Sequence, residues 1–176
     1  MRVEFIEPFV KAGVSVMESV ALGRPERGQL SVRHLRFTTQ QVTILAGVTG
    51  DVRGQVLYGM SLVTAEKIAT AMLREPIMTF DELATSAIAE LGNMITGNAV
   101  MHLSERGFNC VITPPSVIRG MNIEVSTPVP ALVVPLITQF GRVEVNIALV
   151  EAKASAPADK HRGDGQQLVR GLLAQS

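Results

Sequence analysis

Residues 78–108, MTFDELATSAIAELGNMITGNAVMHLSERGF, decide how the rest of the chain can fold, because they read as one long helix carrying a polar seam. Thr79 followed three residues later by Glu82 fits a capping box. Asp81 and Glu82 put negative charge in the first turn, and Gly107 is a natural stop behind Arg106. On a wheel of about 100° per residue, Leu83, Ala87, Leu91, Met94, Ile95, Ala99 and Met101 share an apolar arc with Ile88 at its edge, and that side is expected to face a core. Ser86, Glu90, Asn93 and Gly97 fall in a stripe only about 60° wide on the far side, since positions i, i+4, i+7 and i+11 stack on one face. Between the two lies a band of small residues, Thr85, Ala89, Gly92 and Thr96. Glycines inside a helix each cost about 1 kcal/mol relative to alanine, so Gly92 and Gly97 point to something that needs their missing side chains. Approach of a partner's backbone along Ser86, Gly92, Thr96 and Gly97 is the expectation. A solvated face would carry Lys and Glu, whereas long charged side chains are absent from Gly92 to Val100.

The run Ser86-x-x-x-Glu90-x-x-Asn93, continued as Met94-Ile95-Thr96-Gly97-Asn98-Ala99, resembles the signature helix of the CheC/CheX/FliY family of chemotaxis phosphatases, and within it the CheX branch most. Pro114 and Pro115 lie near the place where that family has a proline. The likeness covers residues 4–152 and is specific in the helix. It implies an enzyme that hydrolyses the aspartyl phosphate of a CheY-like response regulator, with Asn93 orienting the attacking water and Glu90 pairing with the regulator's lysine. It further implies no cofactor of the chain's own, Mg²⁺ supplied by the bound regulator, and a homodimer joined through β-strands.

The composition sets the outer bounds. A chain of 176 residues with 47% hydrophobic and 18% charged residues is long enough for one sizeable core. Sixteen basic residues balance sixteen acidic ones, and with few aromatics this leaves no basic stripe or stacking platform for nucleic acid. No run approaches the length needed to span a bilayer, and Met1-Arg2-Val3-Glu4 opens no signal-peptide core, so no membrane association and a cytoplasmic location are expected. Cys110 is alone, which excludes an internal disulfide or zinc cluster, and FNCVIT reads as the setting of a core thiol. His34, His102 and His161 are scattered, and no metal site is expected.

Along the chain, residues 7–23 read as a first helix, with Pro8 at its first position and Gly23 past its end. Short strands follow over 29–35, 41–48 and 54–60, joined by tight turns that imply antiparallel pairing, then a helix over 62–74. After Gly107, further strands are expected over 109–113, 116–126, 131–140 and 142–152. The fold class is therefore α+β, a mainly antiparallel sheet of about six strands with long helices on one face. ALVVPLITQFGRVEVNIALV repeats the character of VTILAGVTGDVRGQVLYGMS, so the chain reads as a doubled unit of a helix followed by strands. Aligning Ala21-Leu22-Gly23 with Ile95-Thr96-Gly97 puts Val16 at the place of Glu90 and Ser19 at that of Asn93, so the first half would lack the site. A run such as ALVVPLI would need its edge paired or covered, which is the physical motive for a strand-mediated dimer. Residues 1–152 form the expected domain, and 153–176, opening KASAPADKHRGDGQQ, a polar tail too poor in apolar residues to bury.

The stripe itself offers a carboxylate and a carboxamide, with no Ser–His pair, P-loop or dinucleotide fingerprint beside them. An asparagine can both donate to and accept from one water and hold it in line with an already activated phosphoryl group. A non-catalytic adaptor for phosphorylated regulators, or a flagellar-switch type binding module, would use the same helix and stays open at this point.

Overall fold

The computed structural model describes residues 3–20 and 23–152, so the expected tail over 153–176 lies outside the described residues. The elements are α1 (Val3–Ser19), β1 (Glu26–Arg27), β2 (Ser31–Arg33), β3 (Arg36–Thr38), β4 (Val42–Gly50), β5 (Val52–Met60) and α2 (Leu62–Leu73). The second part contributes α3 (Glu82–Glu105), β6 (Cys110–Ile112), β7 (Ser116–Arg119), β8 (Glu124–Ser126), β9 (Ala131–Thr138) and β10 (Gly141–Glu151). Eight strands make one antiparallel sheet in the order β1-β9-β10-β5-β4-β6, with β2 also on β9 and β7 also on β4. β3 and β8 form a separate two-stranded ribbon. The sheet has six positions across, and the fold is the expected α+β class.

Two expected single strands are broken. The segment 29–35 yields only β2 before the chain turns into β3, and 116–126 divides into β7 and β8 around Asn122. Asn122 has φ of 56°, a left-handed conformation that asparagine tolerates and that ends a ladder.

The doubling is visible in the pairings. α1 followed by β1–β5 matches α3 followed by β6–β10, and the strands after each helix cross to the other half: β1 and β2 pair with β9, while β6 and β7 pair with β4. β5 and β10 meet at the centre and β3 meets β8, as a two-fold relation requires. α2 has no counterpart among the described residues.

Alternation along the strands sets the layers. Ile44, Ala46, Val48, Val56, Tyr58, Met60, Val134, Leu136, Val143, Val145, Ile147 and Leu149 point to one core with Phe5, Phe9, Ile88, Leu91 and Ile95 of the helices. On the far face, the ribbon lies against Leu57, Glu144 and Asn146, and Arg33 of β2 ties it there, Nη1 donating to Thr38 O at 3.3 Å and Nη2 to Glu144 Oε2 at 2.5 Å.

The strand expected to offer a free edge does not. β9 is paired on both sides, by β10 and by β1 with β2. The gap between β1 and β2 falls opposite Pro135, which has no N–H to give; there the ladder keeps one bond, Gly28 N donating to Pro135 O at 2.8 Å. The apolar ALVVPLI run is thus covered from within the chain.

α1 starts earlier than expected, and Pro8 lies inside it rather than at its first position. The ring denies the Glu4 carbonyl its helical donor, and Arg106 Nη1 donates to that carbonyl instead, at 3.1 Å. The helix thereby keeps its proline at little cost in unsatisfied backbone.

Candidate functional site

The site is built on α3, whose two ends are anchored. At its start the N-cap is Asp81, not Thr79: Asp81 Oδ1 accepts from Ala84 N at 3.0 Å with Asp81 in extended conformation, so the expected Thr79–Glu82 box does not form. Phe80 explains the shift, because its buried ring and its carbonyl are held by Arg119, which donates to the carbonyl at 3.0 Å and stacks 5.6 Å from the ring centroid. At the other end, Gly107 takes φ of 90° while its N–H and that of Phe108 bond to Ser104 O and Leu103 O. That is a Schellman stop. Phe108 then packs edge-on against Phe5, 5.3 Å between centroids. Arg106 adds an ion pair to Glu7 at 2.8 Å.

Between these anchors the buried face runs through Ala84, Ile88, Leu91, Ile95, Ala99 and Leu103. Leu83 and Met101, expected in the core, are 47% and 54% exposed, because the true centre of the buried arc is rotated away from them. Ser86 and Glu90 are exposed, and Asn93 and Gly97 half-buried, on the opposite side. Asn93 Nδ2 donates to Glu90 Oε2 at 3.5 Å, a long contact that leaves the Asn93 oxygen free of side-chain donors among the described residues. Ser86, Ala89, Glu90 and Asn93 line an open groove with Ile112, Pro114 and Pro115. The two prolines were marked by the family likeness, whereas Ile112 carries no chemical signal in the sequence. A Cβ on Gly97 would meet nothing nearer than Ile112 Cδ1 at 4.0 Å, so this glycine leaves open space beside Asn93.

Gly92 and Thr96 do not belong to that surface, and here the expectation is corrected. Both are buried. A Cβ on Gly92 would stand 2.5 Å from Ile44 Cγ2, and Thr96 Oγ1 lies 2.8 Å from the Tyr58 hydroxyl. The close approach that these small residues permit is to the chain's own sheet, not to a partner.

The first half of the repeat has no such site, but the equivalent positions are not Val16 and Ser19. Gly13 of α1 presses on Leu136 of β9 as Gly92 of α3 presses on Ile44 of β4, which sets the register between the helices. In that register Phe9, Ala12, Val16 and Met17 fall on Ile88, Leu91, Ile95 and Thr96, all buried. Glu90 then corresponds to exposed Lys11, paired with Glu7 at 3.0 Å, and Asn93 to the half-buried Val14. Neither can do what a carboxylate and a carboxamide do.

Perturbed groups lie away from the groove. The Arg106 guanidinium, with Lys11 beside it, holds the Glu7 carboxyl below its ordinary range. Burial pushes the Tyr58 phenol well above its ordinary value, and pushes the Cys110 thiol up, with Cys110 Sγ donating to Val52 O at 3.8 Å. Cys110 is thus partly buried, packed against the core rather than inside it as expected. His102 pairs with Glu105 at 3.1 Å, and His161 lies outside the described residues. Among the described residues no group of three or more His, Cys, Asp or Glu could hold a metal ion, and no helix is long and apolar enough to cross a membrane.

The model of the family described as chemotaxis phosphatase CheX matches residues 42–137, a stretch that carries α3, the prolines of the groove and the strands beneath them. The chain belongs to this family. It is by class a phosphatase. The chain is 38% identical over 118 residues to the CheY-P phosphatase CheX of Thermotoga maritima, covering 64% of this chain and 76% of the relative. Its fold is similar to that of the CheX–CheY–BeF3–Mg²⁺ complex from Borrelia burgdorferi, with a TM-score of 0.71 and 32% identity over 85% of this chain and 100% of that one. The chemotaxis protein CheX of Desulfovibrio desulfuricans superposes with a TM-score of 0.74 at 28% identity, covering 85% of this chain and 99% of that one.

Proposed function

We propose that this chain removes the phosphoryl group from the aspartyl phosphate of a CheY-like response regulator, and that α3 docks over the regulator's active site to do so. The observation that carries the reading is the pairing of Glu90 and Asn93, one turn apart and facing open space in a groove walled by Pro114 and Pro115. Asn93 enters the regulator's site and orients the attacking water, its free oxygen accepting from the water while its Nδ2 is released from the long contact to Glu90. Glu90 pairs with the regulator's lysine, which fixes the docked pose and completes the charge balance around the transferring group. Ser86 and Gly97 flank the pair and admit the partner's surface. The chain brings no cofactor of its own; Mg²⁺ comes with the regulator and supplies charge neutralisation at the phosphoryl group. Following acyl-phosphate decay with wild-type protein and Asn93→Ala tests the reading.

The same reading places the protein in the cytoplasm, where response regulators act, and gives it a homodimer built through strands. With β9 covered, the strands available for that contact are the outer ones, β1 with β2 and β6 with β7. The β1–β2 side carries Val32 at 66% exposure, with Leu30 and Leu35 near it. Sedimentation at low micromolar concentration returns twice the chain mass if this is right and the single-chain mass if it is not.

A further inference from the structure

Two buried polar side chains meet between α3 and the sheet, Thr96 of the helix and Tyr58 beneath it, and the proposed chemistry uses neither. Tyr58, on the helix-facing side of β5, is fully buried, and its hydroxyl meets Thr96 Oγ1 at 2.8 Å. Thr96 Oγ1 itself donates to Gly92 O at 2.7 Å. A threonine hydroxyl has a single proton, so with that proton on Gly92 O the Tyr58 hydroxyl must be the donor of the other bond. A chain of two hydrogen bonds therefore runs from the sheet to the peptide group that joins Gly92 to Asn93.

The internal repeat provides a comparison within one molecule. On α1, the helix without the site, Met17 stands in the register of Thr96, and the helix-facing residues of β10, the strand related to β5, are Val143, Val145, Ile147 and Leu149. These related positions carry no hydroxyl. Burying hydroxyls costs free energy that an apolar pair would avoid, so a polar pair present beneath the Glu90/Asn93 helix and replaced by apolar residues at the related positions needs a reason beyond packing. The local sequence supplies one. Gly92 and Gly97 flank Asn93, and glycines weaken a helix where they stand; a bond to the Gly92 carbonyl pins the turn between them.

We infer that Tyr58, acting through Thr96, is a positioning residue that fixes the turn of α3 bearing Glu90 and Asn93. The inference rests on the reading that Asn93 orients the attacking water. Tyr58 touches neither water nor regulator; it limits how far the carboxamide wanders from the productive position.

The test compares Tyr58→Phe and Thr96→Val with wild type, with Thr96→Ser as the conservative replacement that keeps the hydroxyl. The control is Val143→Ala, a core truncation on β10, the strand related to β5. Tyr58→Phe and Thr96→Val are expected to lower kcat for regulator dephosphorylation by about tenfold, with KM for the phosphorylated regulator nearly unchanged, as misplacement of a catalytic group does. Thr96→Ser retains the rate, and Val143→Ala lowers the melting temperature without this loss of kcat. The side-chain amide resonances of Asn93 broaden or shift in Tyr58→Phe and stay in place in Val143→Ala. Unchanged kcat in folded Tyr58→Phe and Thr96→Val proteins would overturn the inference, as would equal losses in Val143→Ala. If the wild type hydrolyses no acyl phosphate, the proposed function fails, and the Asn93 resonances alone decide whether Tyr58 positions that side chain.

Discussion

Gly92 lies so close to Ile44 that a Cβ on the glycine would stand 2.5 Å from Ile44 Cγ2. Ile44 is fully buried and branched at its own Cβ, so it cannot swing aside as the tip of a long side chain would. Gly92→Ala is expected to destabilise the fold by about 1–3 kcal/mol despite alanine's better helix propensity, because overpacking outweighs that gain. Urea denaturation measures it. An unchanged midpoint would mean that α3 sits farther from β4 than described.

Gly97 is the opposite case. Its missing side chain faces open space, with Ile112 Cδ1 at 4.0 Å as the nearest contact, and its backbone is helical. Gly97→Leu is expected to hold or raise the melting temperature, by up to about 1 kcal/mol of helix propensity, while blocking the approach of the regulator. A variant that is both stable and fully active would show that the partner does not come to this face.

These two glycines mark how far the sequence could be read. The spacing of Ser86, Glu90, Asn93 and Gly97 was legible because helical geometry alone puts them on one face. Which side of that stripe turns to the sheet was not, since glycine and threonine carry no hydrophobic signal and large Leu83 and Met101 pulled the wheel toward themselves. The capping aspartate was visible in the sequence, but choosing Asp81 over Thr79 needed the anchor between Phe80 and Arg119. The doubled architecture showed in the similar strand pairs. That β1 and β2 cross to β9, and so close the edge expected to be free, depends on contacts between distant parts of the chain that no local pattern encodes. Pro135 marks where that crossing is interrupted, but only once its neighbour is known.

Glu90 offers a separate handle on docking. Because its proposed partner is a lysine rather than the nucleophile, Glu90→Ala is expected to weaken regulator binding by about 2 kcal/mol or more. Glu90→Gln preserves the shape but should lose a comparable part of the affinity. Titration calorimetry against an acyl-phosphate mimic of the regulator reads this directly, and wild-type affinity in Glu90→Ala would remove the charge-pairing role.

The junction of α1 with the end of α3 gives stability a pH dependence. Glu7, held below its ordinary range first by its bond to Arg106, binds a proton more weakly folded than unfolded. Its contribution is therefore present above the unfolded value and is lost as pH falls through the folded one. The melting temperature should drop on acidification through the carboxylate range, and Glu7→Gln should flatten part of that drop. An identical slope in the variant would show that the pair is too well screened to matter.

In the proposed function the Asn93 carboxamide orients the water that attacks the regulator's phosphoryl group. Single-turnover decay of a phosphorylated CheY-like regulator with Mg²⁺, alone, with the wild-type protein and with Asn93→Ala at saturating concentration, measures that role. Decay should be faster with the wild type, and Asn93→Ala should lose most of that acceleration while retaining regulator binding. Decay with Asn93→Ala as fast as with the wild type, or a wild type that binds the phosphorylated regulator and leaves its lifetime unchanged, would contradict it.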